Sequence, residues 1–222
     1  MINLVYIRHG YPNYELDNLT ELGKKQAEAL RDKISFIKFD QVFASSCGRA
    51  VETAEIVTKT NRENIKALDW AKEDLAWEAF TEIFDKEGHK NWVFCIPSYI
   101  ERFKELENDP NWFKQKDFGE KYEKRLNAMN QDIDNWLESI GVIHDRKNKT
   151  YQVKTDKDIT IAFVAHGGMG TLFLSSILDL NYPNFVTRYG LLELTSFTHI
   201  AITDRAILVT YNDYSHIISL EN

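Results

Sequence analysis

Cysteine and proline are both scarce in this chain of 222 residues, which has two cysteines and four prolines. Cys47 and Cys95 form no CxxC pair, and a chain of this length needs no disulfide framework to hold its core. The prolines are scattered, and no linker, repeat or low-complexity tract separates parts of the sequence. The cysteine usage indicates a reducing compartment, so we expect a cytoplasmic protein.

Long apolar runs and an excess of basic residues are also missing. The apolar run at the start of the chain ends at Arg8, too early for a signal peptide, and no stretch of the sequence can span a bilayer. The 27 Lys and Arg residues against 34 Asp and Glu residues give a net charge of −7, which repels a phosphate backbone. We therefore expect neither a membrane nor a nucleic acid as partner.

The overall composition is that of an ordinary folded domain. Hydrophobic residues make up 43% and charged residues 27% of the chain, which excludes disordered and fibrous classes. A chain of 222 residues suits one large domain, so the sequence predicts a single domain over residues 1–222.

Apolar runs alternate with helical patterns along the chain. Short, nearly continuous apolar runs at residues 4–7, 42–44 and 159–165 are typical of strands buried on both faces. Helix-period stretches at residues 27–34 and 50–57 follow the first two runs. This alternation predicts an α/β fold, a three-layer α/β/α sandwich around a mostly parallel sheet.

Two further elements are predicted in the second half of the chain. Apolar residues keep the helical period from about residue 118 to 140, and Gly141 is a plausible end for that helix. Strand patterns near residues 192–201 and 206–211, with a turn between them, predict a closing antiparallel hairpin.

Aromatic residues concentrate in one segment, residues 70–118, which we call the aromatic segment. It holds four of the five tryptophans, namely Trp70, Trp77, Trp92 and Trp112. We interpret it as a cap inserted over the sheet, in which most aromatic rings fill the cap's own core and a minority reach a ligand.

One local pattern occurs twice: an apolar strand ends directly in His-Gly, at His9-Gly10 and at His166-Gly167. Ligands of open parallel sheets lie outside the carboxyl ends of the strands, so both imidazoles should emerge at one edge. The glycines allow a ligand to approach the backbone closely. This repetition is the strongest functional signal in the sequence.

Two arginines accompany these histidines. Arg8 precedes His9, and Arg49 follows a third strand at the start of a helix, where the helix dipole is positive. Guanidinium groups match phosphate oxygens in geometry, while a neutral imidazole can attack phosphorus. The residues therefore indicate a phosphoryl group as the ligand.

At this point the sequence resembles the histidine phosphatase superfamily, also called the phosphoglycerate mutase-like family. The similar segments run nearly end to end: Arg8-His9-Gly10, Leu19 to Ala27, Ser45 to Ala54, and Val164 to Gly168. The resemblance implies a phosphate pocket of Arg8, His9, Arg49 and His166. It also implies that His9 accepts the phosphoryl group as a phosphohistidine.

The family also uses an acid, usually a glutamate after the third strand, that protonates the leaving oxygen. Glu78 best fits that place, although an extra residue precedes it and the family's downstream glycine is missing. Glu82, one helical turn further on, remains a rival. Both could equally lie on a solvated helix face.

The function expected from these residues is metal-independent hydrolysis of a small-molecule phosphomonoester. Neutral His9 would attack, Glu78 would protonate the leaving alcohol, and Arg8, Arg49 and a charged His166 would bind the phosphate oxygens. A phosphoglycerate mutase and a phosphate-binding module without turnover are the alternatives. We expect no cofactor, and the natural substrate and the oligomeric state stay open.

The remaining histidines and Cys47 are given structural roles. His89, His144 and His199 have no metal-ligand spacing, so no zinc motif is predicted. His216, after the last strand, is expected to be structural, and Cys47 is expected to pack rather than react.

Overall fold

The computed structural model describes residues 1–218. The strands are β1 (Ile2–Arg8), β2 (Pro12–Asn13), β3 (Asn18–Leu19), β4 (Gln41–Ser45), β5 (Lys66–Leu68), β6 (Thr81–Ile83), β7 (Lys90–Trp92), β8 (Val142–Asp145), β9 (Thr150–Val153), β10 (Ile159–Ala165), β11 (Phe197–Ile202) and β12 (Ala206–Asp213). The α-helices are α1 (Glu21–Lys33), α2 (Gly48–Thr58), α3 (Glu73–Phe80), α4 (Pro97–Glu105), α5 (Glu120–Ser139), α6 (Gly167–Ile177) and α7 (Tyr182–Tyr189). Within residues 1–218 no helix is both long and apolar enough to cross a membrane.

The central sheet has six strands in the order β12-β11-β1-β10-β4-β5. Strand β10 lies parallel to β1 and to β4, and β4 lies parallel to β5. Strands β11 and β12 complete the sheet as an antiparallel hairpin beside β1. The mostly parallel sheet and its C-terminal hairpin are therefore confirmed.

Helices cover both faces of this sheet because side chains alternate along its strands. On β1, Val5 and Ile7 pack against the apolar residues of α1 and α2. Leu4 and Tyr6 point to the other face and join the larger core with α3, α5, α6 and α7. The predicted three-layer α/β/α arrangement is confirmed.

Helix ends follow the signals read from the sequence. Thr20 caps α1, its hydroxyl accepting the Gly23 N–H at 3.1 Å. The long helix predicted for residues 118–140 is α5, and Gly141 follows it with φ of 80°. A side chain is strained at such a φ, which is why glycine ends the helix there.

The predicted start of the hairpin is wrong. Strand β11 begins at Phe197, whereas the sequence pattern placed strand from residue 192. Residues 192–196 instead turn around the end of β1: Arg8 donates its backbone N–H to the Ser196 carbonyl at 3.1 Å and a side-chain N–H to the Leu192 carbonyl. The Leu192 carbonyl serves a side chain and the Ser196 N–H donates to the Glu193 carbonyl in a turn, so this stretch does not extend β11.

The aromatic segment forms α3, a β6–β7 ribbon, α4 and short 3₁₀ turns. Most of its rings are buried in one cluster with rings of α5 and α7; its members include Phe80, Phe103, Trp112, Phe118, Tyr122 and Tyr182. Trp77 and Phe84 remain exposed. That this segment is an inserted cap on a single domain stays a prediction.

Candidate active site

Three neighbouring parallel strands bring the predicted residues together at one edge of the sheet. His9 follows β1, His166 follows β10, and Ser45 ends β4. The backbone N–H of His9 donates to the Ala165 carbonyl at 2.9 Å, so the two strand ends are joined directly. The rings of His9 and His166 lie 5.1 Å apart between centroids, edge to face. The convergence follows from adjacent strands of one sheet ending at the same level.

His9 is held as a neutral imidazole with one free lone pair. Its Nδ1 lies 2.7 Å from the Gly10 carbonyl oxygen, and because a carbonyl only accepts, Nδ1 carries the proton. Burial lowers the pKa of His9 to about 3, an effect strengthened by Arg8 and Arg49 and opposed by the Gly10 hydrogen bond. His9 is only 2% exposed. Its Nε2 is therefore unprotonated over the physiological pH range.

Gly10 is needed where it stands because α1 packs closely on it. A Cβ at this position would lie 2.5 Å from the Gly23 carbonyl oxygen. The Gly10 N–H donates to the Thr53 hydroxyl of α2 at 3.1 Å. The carbonyl that orients His9 is thus fixed by contacts with both helices of that face.

His166 is fully buried and also neutral in this geometry. Its Nδ1 faces Arg49 Nη2 at 3.3 Å and its Nε2 faces the Ser45 hydroxyl at 2.8 Å. An arginine only donates, so Nδ1 accepts and the proton is on Nε2. Burial, then the proximity of His9, Arg49 and Arg8, holds the pKa of His166 well below its usual range. The expected charge on His166 belongs to the phosphate-bound step, so it stays a prediction.

Arg8 lies close to the second His-Gly turn. Its Nη1 donates to the Leu192 carbonyl, and its Cζ would lie 3.1 Å from a Cβ placed at Gly167. Gly167 therefore gives the guanidinium room, and a side chain there would push it away. The Nε of Arg8 is buried and has no hydrogen-bond partner within residues 1–218.

Arg49, at the first turn of α2, is tied in the same way. Its Nη1 donates to the Asp17 carboxylate, and the Tyr14 ring lies 5.4 Å from its guanidinium carbon. The buried Nε of Arg49, like that of Arg8, makes no hydrogen bond in the described part of the chain. Each arginine is therefore anchored through Nη1, and its Nε–H is left without an acceptor within the described residues.

Glu73 is the residue that the sequence analysis missed. Its two carboxyl oxygens accept the backbone N–H groups of Gly168 at 2.9 Å and Met169 at 2.8 Å, at the start of α6. Burial raises the pKa of Glu73, against the lowering effects of those hydrogen bonds and of Arg8 and Arg49. A carboxyl group with a raised pKa beside two arginines is able to hold and donate a proton.

The rule that ligands lie outside the carboxyl ends of parallel strands also points to Glu73. Glu73 starts α3 only five residues after Leu68, the last residue of the fourth parallel strand, β5. Applied to β5 as it was to β1, β4 and β10, the rule favours Glu73 over a residue further along the helix.

Glu78 and Glu82 lie elsewhere. Five residues separate Glu78 from Glu73 on α3, which places them about 140° apart around the helix axis. Glu78 is exposed and lines a surface groove with Lys121 and Arg125. Glu82 accepts the Tyr122 hydroxyl at 2.9 Å and pairs with Lys121 at 2.7 Å. These positions do not support either Glu78 or Glu82 as the proton donor. Glu73 is the better candidate for that role.

The other histidines lie outside this pocket. His216 Nε2 is 3.0 Å from the Thr195 hydroxyl, and burial lowers its pKa to about 4. His144 lies between Asp134 and Asp179. The spacing of residues around His89 predicted no metal site, yet the structure brings Asp85, Glu87 and His89 together, with one ligand atom from each within 4.8 Å of the others. Asp85 already accepts the His89 backbone N–H at 2.9 Å, so a turn explains this exposed group.

A model of the histidine phosphatase superfamily, branch 1, matches residues 4–214. The search of curated protein sequences found no match. The family match covers all three strand ends and Glu73.

Solved structures of phosphatases share this fold. A mutant phosphoserine phosphatase from Entamoeba histolytica in complex with phosphoserine has 17% identity and a TM-score of 0.60, over 98% of this chain and 100% of that one. The native mycobacterial glucosyl-3-phosphoglycerate phosphatase has 19% identity and a TM-score of 0.59, over 95% and 98%. The alpha-ribazole phosphatase from Shigella flexneri has 18% identity and a TM-score of 0.55, over 96% of both chains.

Proposed function

The chain belongs to the histidine phosphatase superfamily, and we propose that it hydrolyses a small phosphomonoester through a phosphohistidine on His9. One observation carries the proposal. The Nδ1–H of His9 is bonded to the Gly10 carbonyl, so the lone pair of Nε2 is free on a buried, neutral ring with Arg8 and Arg49 close by. That is the protonation state in which an imidazole is a nucleophile.

The phosphate would be held by the groups around His9. The Nε donors of Arg8 and Arg49 are buried and make no protein hydrogen bond within residues 1–218, and phosphate oxygens are natural acceptors for them. We propose that His166 gains a proton as the phosphate dianion binds, since a nearby anion favours the charged imidazole. Gly10 contributes by letting α1 pack closely on the loop, and Gly167 by leaving room for the Arg8 guanidinium.

In the first step, the Nε2 lone pair of His9 forms a bond to phosphorus while the ester oxygen leaves. Glu73 gives its proton to that oxygen, and the alcohol departs. The two arginines and His166 stabilise the charge on the equatorial phosphate oxygens, which is the main task in phosphoryl transfer.

In the second step, the ionised Glu73 accepts a proton from water as the water oxygen attacks phosphorus. The bond from phosphorus to His9 breaks, inorganic phosphate forms, and Glu73 is protonated again. The arginines and His166 supply the positive charge that a metal ion provides in other phosphatases, so we expect turnover without a metal.

The substrate class follows from the charge around the site. The aromatic segment mixes lysines with acids and is rich in rings, and Trp92 packs directly on Gly168 of the α6 start. These features favour a monophosphate with an organic body over a small, highly anionic phosphoglycerate or an inositol polyphosphate. Cytoplasmic residence stays a prediction.

The test is hydrolysis of p-nitrophenyl phosphate in EDTA, comparing the wild type with His9→Ala. A matched control is His199→Ala, because His199 lies on β11 and bonds to Asn3 at 3.1 Å, outside the pocket. We expect wild-type and control turnover and no turnover in His9→Ala. A quench in alkaline SDS should trap base-stable, acid-labile phosphate on the wild type and on His199→Ala, and none on His9→Ala.

Two results would redirect the assignment. Phosphate binding without turnover of any ester would indicate a binding module. If the active enzyme transfers the phosphoryl group from His9 to an added phosphoglycerate faster than it releases phosphate to water, the protein is a mutase.

A further inference from the structure

The loop before α1 places a carboxylate against one of the two pocket arginines. Asp17 spans two donors: one oxygen accepts from Arg49 Nη1, and the other accepts the Gly48 backbone N–H at 2.6 Å. Among the described residues no carboxylate is hydrogen-bonded to Arg8, whose Nη1 donates to the Leu192 carbonyl, although Glu73 and Glu193 lie near enough to interact with its charge. Arg49 therefore differs from Arg8 in being paired directly with a carboxylate.

We propose that Asp17 is a specificity-determining residue, which makes this pocket favour phosphomonoesters whose organic part carries no second anionic group close to the phosphate. The proposal rests on the proposed function, because it takes the pocket to hold a phosphate. It adds a substrate class to that function: monophosphates with an uncharged body.

The geometry of the guanidinium lets Asp17 stay in place when a phosphate binds. Nη1 lies on the Cδ side of the guanidinium, away from the Nε–H, so the Asp17 contact does not use the edge formed by Nε and Nη2. Arg49 Nε has no partner among the described residues, and Nη2 faces His166 Nδ1 at 3.3 Å. A phosphate oxygen can accept from the unpartnered Nε while the Asp17 charge stays beside the guanidinium.

The surrounding contacts hold Asp17 firmly. It lies between β2 and β3, which pair Pro12 with Leu19 and Asn13 with Asn18. Leu19 is buried and donates its N–H to Glu52 of α2 at 2.7 Å. The Asp17 carbonyl contacts the Cα of Gly48 so closely that any Cβ there would overlap it. Asp17 itself has φ of 47°, a conformation that persists only when neighbouring contacts fix it.

A fixed negative charge at this point has a calculable effect on a second charge. Because Asp17 contacts Arg49, a carboxylate on a small phosphomonoester held by Arg49 would lie within about one Debye length of Asp17, where two like charges repel at a partly solvated site. The Asp17 side chain is 45% exposed, so water and salt screen the repulsion. The expected discrimination is therefore about three- to tenfold in affinity.

The test compares two ligands that differ by one anionic group: glycerol 3-phosphate and 3-phosphoglycerate. Their dissociation constants are measured by calorimetry in a His9→Ala background, in which neither ester is consumed, with and without Asp17→Asn. Asparagine keeps the size of the side chain and tolerates positive φ, so the loop keeps its conformation. Glu15→Gln is the control, since Glu15 is an exposed carboxylate of the same loop.

We expect His9→Ala, in which Asp17 is unchanged, to bind glycerol 3-phosphate more tightly than 3-phosphoglycerate. Asp17→Asn should reduce that preference about three- to tenfold, and the reduction should be smaller at high salt. Glu15→Gln should leave the preference unchanged. Equal weakening of both ligands would mean that Asp17 only positions Arg49, and an unchanged ratio or no binding of either ester would also overturn the proposal.

The two proposals fail separately. If the wild type hydrolyses no ester but the affinity ratio shifts in Asp17→Asn, the inference about Asp17 stands and the proposed hydrolysis falls. If the wild type turns over p-nitrophenyl phosphate and the ratio does not move, hydrolysis stands and the inference about Asp17 falls.

Discussion

The hydroxyl of Tyr6 donates to the His166 carbonyl at 2.7 Å and accepts the His166 backbone N–H at 3.2 Å. Tyr6 is on β1, two residues before Arg8, and it is 1% exposed. A single buried side chain of β1 therefore satisfies both backbone groups of the histidine that follows β10. The orientation of His166 depends on this contact as well as on its own ring partners.

Replacing this tyrosine should affect both stability and activity. Tyr6→Phe leaves the His166 N–H and carbonyl without that partner, and a buried unsatisfied group costs about 1–3 kcal/mol. We expect a lower free energy of unfolding in urea and a lower kcat. Tyr151→Phe is the matched control, because Tyr151 is also buried and donates to the Ile177 carbonyl at 2.7 Å away from the pocket. If Tyr151→Phe lowers kcat equally, Tyr6 has no special role in the site.

Removing the proposed acid should affect poor leaving groups most. Glu73→Gln cannot donate a proton, and general acid catalysis contributes about 10²–10⁴ in rate. An alkyl phosphate should lose that factor, while p-nitrophenyl phosphate, whose leaving group needs little protonation, should lose much less. Glu78→Gln should change neither rate. An equal loss on both substrates in Glu73→Gln would argue for a structural role at the α6 start.

The same residue sets the pH dependence. Glu73 acts in its protonated form, so the rate with an alkyl phosphate should fall as pH rises through its pKa, which burial raises above the ordinary glutamate value. Burial holds the pKa of His9 at about 3. Protonation of His9 therefore lowers kcat/KM only at the acid end of the pH profile. The measurement is kcat/KM from pH 3 to 8, and the descending limb should be missing in Glu73→Gln.

The two arginines should each matter strongly to the transition state. Losing one preorganised donor to the developing charge commonly costs about 10²–10³ in kcat, and we expect this for Arg8→Ala and for Arg49→Ala. Arg188→Ala is the control, because Arg188 pairs with Glu107 at an exposed position. A loss below tenfold in both pocket variants would contradict the proposed phosphate site.

His144 should make stability depend on pH. Burial alone would lower its pKa, but the nearby carboxylates of Asp134 and Asp179 outweigh burial and raise it. A raised pKa means that the stabilisation is complete below the unfolded value of about 6.5 and is lost as pH rises through the folded value. The difference in urea midpoint between the wild type and His144→Gln should therefore shrink from pH 6 to pH 9. A constant difference would mean that the pairing with Asp134 and Asp179 does not depend on the histidine charge.

Local patterns were sufficient for much of the fold. Apolar runs located β1, β4 and β10 because strands buried on both faces need continuous apolar side chains. The period of α5 and the glycine after it were also read correctly, since both reflect local geometry. The start of β11 was misplaced because residues 192–196 serve Arg8, which is far away in the chain.

The residues at the three strand ends could be read from the chain alone, because a parallel sheet brings its carboxyl ends to one edge whatever the loops do. The protonation and partners of those residues could not, because they depend on three-dimensional packing. The neutral state of His166, the place of Glu73 and the contact of Asp17 with Arg49 depend on burial and on atoms distant in sequence. Electrostatic environment is a property of three-dimensional packing, and no spacing along the chain encodes it.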